Sequence, residues 1–134
     1  MLEEGGGTIE SIIIKNNVTR IVIDSITSFA LLFEDELEKR EAALSLFNMI
    51  SEWNCTSLLT FEGEPLKDEE VASRTLEFES DSIILFYYLR ERGERHRYLE
   101  VLKMRGTKHS KKIYRFSIDK GIVVRPSPVS INLQ

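Results

Sequence analysis

Residues 20–25 read Arg-Ile-Val-Ile-Asp-Ser, a nearly continuous β-branched run that closes on a carboxylate. With no polar residue alternating through it, such a run reads as a central strand buried on both faces, the habit of parallel sheets. Parallel neighbours need a crossover, and one follows. Glu34 to Glu52 has helical spacing, with Leu37, Ala43, Leu44, Phe47 and Ile50 on one apolar side, and Glu38, Lys39, Arg40 and Glu41 crowding its first half. Thr56 to Phe61 (Thr-Ser-Leu-Leu-Thr-Phe) is the next short apolar run and the second buried strand. Strand, helix and strand in that order make a βαβ unit.

The flanking segments have different character. Gly5-Gly6-Gly7 reads as a flexible lead-in covering residues 1–7. Thr8 then caps a helix with Ile9, Ile12 and Ile13 on one face and Asn16-Asn17 as its stop. Residues 62–72 form an acidic loop around Pro65, with a short helix near Asp68 to Ser73. Ser82 to Arg90, Arg97 to Met104, Ile113 to Ile118 and Ile122 to Val124 are strands. Polar residues 90–95 with Gly93, and Asp119-Lys120-Gly121, are their turns. Residues 125–134, with Pro126 and Pro128, read as a tail. The expected fold is α/β, a parallel sheet with flanking helices followed by an antiparallel β-meander, in one domain over residues 1–134.

The 134 residues, 42% hydrophobic and 30% charged, suit one soluble globular domain. No apolar run approaches the roughly 20 residues that span a bilayer, and the acidic N-terminus lacks the pattern of a secretory signal. Cys55 is the sole cysteine, which excludes an internal disulfide and a multi-cysteine zinc site; a cytoplasmic setting is the expectation. The net charge of −4 argues against a protein that coats nucleic acid globally. The charge is unevenly spread, however. Residues 103–115 hold Lys103, Arg105, Lys108, Lys111, Lys112 and Arg115 without one acid. A basic loop of this kind meets an anion or an acidic face.

In open α/β sheets ligands sit at the carboxyl ends of strands, and Asp24 lies at such an end. Its two readings are a turn or helix-capping acid and a Walker B carboxylate, holding a water of the Mg²⁺ that bridges nucleotide phosphates. In Leu102-Lys103-Met104-Arg105-Gly106, the two cations stand two apart and point the same way if the strand continues. Arg105 can grip a phosphate with a fork, and Lys103 can add a point charge; the alternative is an exposed basic hairpin. His96 reads as solvated, Cys55 as core filling, and Tyr87, Tyr88 and Tyr98 as sheet filling or a binding face.

Several of these segments, taken in order, carry a family resemblance: Arg20 to Thr27, the helix after it, Thr56 to Thr60, Asp81 to Leu85, and Leu102 to Gly106 with His109. Over residues 8–124 the chain resembles the second half of the KaiC-like ATPases, relatives of RecA and RadA. The resemblance implies a partial RecA-like sheet. It implies that Asp24 is the Walker B acid, with Ser25 beside it, holding Mg²⁺ through water, and that Thr60 is a polar sensor. By the same resemblance Lys103, Arg105 and His109 reach across to ATP bound by a neighbouring subunit. It further implies a homo-oligomer, or a hetero-assembly with a relative that carries a P-loop.

The departures matter as much. No G-x-x-x-x-G-K-[ST] stretch is present, so the backbone cradle for phosphates is missing, and the family's paired catalytic glutamates are absent with it. The expectation is an ATP-binding component that does not hydrolyse alone. A regulatory subunit, and a nucleic-acid or protein-binding module using the 103–115 loop, remain alternatives. Glu77-Phe78 stand where the clock-protein relatives carry phosphoacceptors, so autokinase timing is not expected. In the family the P-loop strand lies inside the sheet. Its loss would expose strand edges, and a homodimer formed partly by strand pairing is the structural expectation.

Overall fold

The computed structural model describes residues 2–62 and 77–131. It comprises two compact units, Met1–Glu79 and Ser80–Gln134. The first holds α1 (Leu2–Asn16), β1 (Arg20–Ile23), α2 (Ile26–Ala30), α3 (Glu36–Glu52) and β2 (Thr56–Leu59). The second holds β3 (Ser82–Glu91), β4 (Glu94–Met104), β5 (Ile113–Ile118) and β6 (Ile122–Val129). The fold is mixed α/β, with a two-stranded parallel sheet and a four-stranded antiparallel sheet in the order β3-β4-β5-β6.

In the first unit β1 and β2 pair in parallel register, Ile21 opposite Ser57 and Ile23 opposite Leu59. Ile21, Ile23 and Leu59 pack on a core of Ile13, Ile50 and Trp53, joined by Val18, Leu46, Met49 and Cys55. Helices α1 and α3 thus supply the cover for one face of the sheet. The Asp35 carboxylate caps α3 by accepting from the Leu37 N–H at 2.9 Å, which satisfies one otherwise orphaned donor. Asn17, at φ 51°, ends α1 in the left-handed conformation, and the Val18 N–H closes on the Ile13 carbonyl at 3.0 Å. The expected Asn16-Asn17 stop is found.

Other expectations need correction. Helix α1 already begins at Leu2, so Gly5-Gly6-Gly7 lies within it and Thr8 is not its cap. Once nucleated, a helix gains a hydrogen bond for each residue added, and that carries α1 through glycines of poor propensity. Ile13 alone of Ile9, Ile12 and Ile13 is buried, and Leu37 is exposed. Strands β1 and β2 are covered on one face instead of two: Val22 is 65% exposed and Leu58 60%. The reason is that a two-stranded sheet with helices on one side leaves the alternate residues without a partner layer. The acidic loop from residue 63 on, with its expected short helix, lies outside the described residues.

In the second unit Arg92 and Gly93, both at positive φ, form the two-residue turn between β3 and β4. That conformation matches the twist of the strands it joins. The first half of the expected tail is strand: β6 runs through Pro126 and Pro128 to Val129. Proline lacks a donor for the ladder and is tolerated on an edge strand, and among the described residues β6 pairs only with β5. No helix among the described residues is long and apolar enough to cross a membrane.

Candidate functional site

The parallel register of β1 and β2 decides what meets at their carboxyl ends. Since Ile23 stands opposite Leu59, the next residues, Asp24 and Thr60, are brought together. Thr60 Oγ1 donates to Asp24 Oδ1 at 2.5 Å. Backbone bonds hold the two ends in place: the Thr60 N–H donates to the Ile23 carbonyl at 3.0 Å, and the Ile26 N–H to the Thr60 carbonyl at 2.9 Å. Ser25 is the N-cap of α2, with no side-chain capping bond, and the Asp24–Ser25 peptide is cis.

Thr27 was not singled out in the sequence. Its Oγ1 accepts the Glu62 N–H at 2.7 Å, tying α2 to the chain just past β2. The available signal was two hydroxyl residues closely following a strand-ending Asp in Asp-Ser-Ile-Thr.

Asp24 is solvent-exposed, and among the described residues its Oδ2 makes no hydrogen bond. A carboxylate oxygen held at one end by a hydroxyl is a hard donor of the kind that hydrated Mg²⁺ accepts. No group of three His, Cys, Asp or Glu among the described residues could hold a metal directly. This single donor suits a hydrated Mg²⁺ and does not make a closed metal cage.

The second unit positions the other expected residues. Lys103 lies on β4 opposite Ile83, next to a register shift between Ile83 and Ile84. Strand β4 ends at Met104, so the argument that Lys103 and Arg105 point the same way does not extend to Arg105. Instead the Arg105 N–H donates to the Asp81 carbonyl at 2.8 Å, and Nη1 reaches the Asp81 carboxylate at 3.2 Å. Asp81 thus holds Arg105 by both its backbone and its guanidinium. Gly106 takes φ +67° immediately after it, a conformation glycine adopts without strain. His109 is half-buried, with Nδ1 3.0 Å from the Ser110 carbonyl. Ser110 Oγ accepts the Lys112 N–H at 3.2 Å and lies 2.9 Å from the Tyr114 hydroxyl. The loop's backbone is held at both ends.

One face of β3 and β4 carries a polar layer. Tyr87 donates to Glu100, and Tyr98 donates to Glu91 at 2.7 Å. Burial first, then these carboxylate contacts, raises both phenol pKa values above the ordinary 10.0. His96 is not the solvated residue expected from the sequence. Arg115 Nη2 donates to its Nδ1 at 2.6 Å; since arginine only donates, that nitrogen carries the lone pair. Cys55 fills core space as expected, its thiol 3.1 Å from the Val18 carbonyl.

A strand-end carboxylate on a parallel βαβ unit, followed in sequence by an antiparallel meander, is a RecA-like arrangement. The family described as "ATPase: KaiC" matches residues 2–129, and the chain belongs to it. It is 30% identical over 112 residues to the circadian clock oscillator protein KaiC of Thermostichus vulcanus, covering 84% of this chain and 22% of that protein. To the KaiC of Prochlorococcus marinus subsp. pastoris it is 34% identical over 111 residues, covering 82% and 22%. Among solved structures, a KaiC-like protein of the hyperthermophilic archaeon Pyrococcus horikoshii superposes with a TM-score of 0.78 at 34% identity, over 92% of this chain and 56% of that one. The chain spans about a fifth of the length of the curated relatives it matches.

Proposed function

We propose that this chain is a nucleotide-binding component of a KaiC-like ATPase, acting with a segment that supplies the P-loop and not hydrolysing ATP alone. The observation that carries this reading is the Asp24–Thr60 pair, joined at 2.5 Å at the carboxyl ends of the parallel strands. In this reading Asp24 holds a water of Mg²⁺ and Ser25 stands beside it. Thr60 fixes the rotamer of the carboxylate and responds to what that carboxylate binds. Mg²⁺, when bound, neutralises charge on the nucleotide phosphates. Lys103, Arg105 and His109 serve a nucleotide held by a neighbouring subunit, where a fork-shaped guanidinium stabilises charge developing on the γ-phosphate.

The missing P-loop explains why partnership is needed. Phosphoryl transfer is chiefly positioning and charge stabilisation, and the phosphate cradle is not encoded in these 134 residues. The test is Mg-ATP binding and turnover by the chain alone and mixed with a P-loop-bearing KaiC-family segment. Turnover is expected only in the mixture. There Arg105→Ala should lower it about 10³-fold or more, the scale of an arginine-finger loss. Hydrolysis by the isolated chain that is lost in Asp24→Asn would overturn the proposal.

A further inference from the structure

The register of the β3/β4 hairpin sorts its side chains by chemistry. On one face Phe86, Tyr88 and Arg90 stand opposite Leu99, Arg97 and Arg95. On the other, Leu85, Tyr87 and Leu89 stand opposite Glu100, Tyr98 and His96. The hairpin acids all belong to this second face: Glu100 is bonded to Tyr87, Glu91 to Tyr98, and Glu94 lies 3.8 Å from His96. The first face has three arginines and no carboxylate.

Its aromatic rings are in water. Phe86 is 54% exposed and Tyr88 52%. Phe86 meets Phe116 edge-on, the two on the same face of the sheet, with ring centroids 5.5 Å apart. The guanidinium carbons of Arg95 and Arg97 lie 5.1 and 5.0 Å from the centre of the Tyr88 ring, a cation–π arrangement that pre-orders both side chains. Among the described residues Arg90, Arg95 and Arg97 make no ion pair, so their outward N–H donors are available to an anion.

We infer that this face, Phe86 and Tyr88 flanked by Arg90, Arg95 and Arg97, is a platform for single-stranded nucleic acid. Exposed planar rings on one sheet face, edged by delocalised cations, fit a ligand that alternates flat bases with phosphates. An acidic peptide would answer the charge but leave the rings without a stacking partner. The surface is separate from the Lys103–His109 residues assigned to nucleotide phosphates. It also differs from the basic 103–115 loop, the obvious candidate on composition. The overall charge of −4 is no obstacle, because the hairpin's acids are turned to the opposite face.

The test is fluorescence anisotropy of the whole chain with labelled oligo-dT and oligo-U. Binding is expected, and with three phosphates neutralised the slope of log affinity against log salt should be about −2, so affinity falls roughly twentyfold between about 50 and 200 mM salt. Tyr88→Ala should weaken binding about tenfold or more. The pair Arg95→Ala and Arg97→Ala should flatten the slope to about −0.7, while Lys111→Ala with Lys112→Ala leaves it unchanged. Amide shifts of the unmodified chain, which need no variant to fold, should move along β3 and β4. Three results would overturn the inference: no binding at about 100 times the micromolar scale of ordinary non-specific affinity, loss of binding in the Lys111/Lys112 variant with the arginine pair inert, or binding of polyglutamate in preference to oligo-dT.

Discussion

Tyr98 is 2% exposed and gives its proton to the Glu91 carboxylate, so its ionisation and the stability of the meander are one question. The folded chain holds this proton more tightly than the unfolded chain, for which a pKa near 10.0 applies. The resulting stabilisation is fully present below about pH 10 and is lost as pH rises through the higher folded value. Tyr87 contributes with the same sign. Unfolding at alkaline pH should therefore coincide with the rise of tyrosinate absorbance, and Tyr98→Phe should weaken that dependence. At neutral pH the same change should cost about 1–3 kcal/mol, since Glu91 loses a hydrogen bond to its charged form. A variant as stable as the parent in urea titration would contradict this. At Arg105 the argument runs the other way. Its pair with Asp81 is exposed on both sides and contributes at most about 1 kcal/mol to folding. Asp81→Asn should therefore leave the thermal midpoint nearly unchanged while lowering turnover in the P-loop mixture, because Asp81 positions the guanidinium. Equal loss of stability and turnover would assign Asp81 a purely structural role.

At the scale of elements, α3 and β2 separate what was legible from what was not. Helix α3 was readable from its apolar spacing alone, and the Asp35 cap found in the structure agrees with that spacing. Asp35→Ala should cost about 1 kcal/mol through the lost cap, and Ile50→Ala about 2–5 kcal/mol through a cavity in the core; chemical denaturation distinguishes the two. Strand β2 was read correctly in place and wrongly in environment. Its apolar run is equally compatible with one covered face or two, and only the count of neighbouring layers decides. Ser57 shows the consequence within that strand: its Oγ is buried with no hydrogen-bond partner among the described residues. Ser57→Ala should be neutral or stabilising by about 1 kcal/mol. The Asp24–Thr60 pairing was half legible: each residue ended an apolar run, but the register that joins them is tertiary. The Asp81–Arg105 pair was not. It links residues that local pattern treats as a loop end and a basic strand. Strand β6 was missed because prolines argue against a strand until the edge position is known.

For the whole molecule the question is what covers the parallel sheet. Among the described residues β1 pairs only with β2, so each has an edge of unsatisfied backbone groups, and Val22 and Leu58 lie side by side on the uncovered face. An isolated pair of strands is marginal in water, and free edges beside apolar residues are templates for pairing with another chain. Two partners answer the same need: a second copy, or the segment that carries the P-loop. If both use these edges, they compete. The chain alone should then self-associate reversibly in sedimentation equilibrium, Val22→Glu with Leu58→Glu should shift it to monomer, and the P-loop-bearing segment should displace the second copy as it restores turnover. A chain that stays monomeric as its concentration is raised to about 100 µM, above the micromolar Kd of a modest interface, would show that the edges need no second copy. Self-association that persists unchanged when turnover is restored would separate the two surfaces and place the dimer elsewhere on the chain.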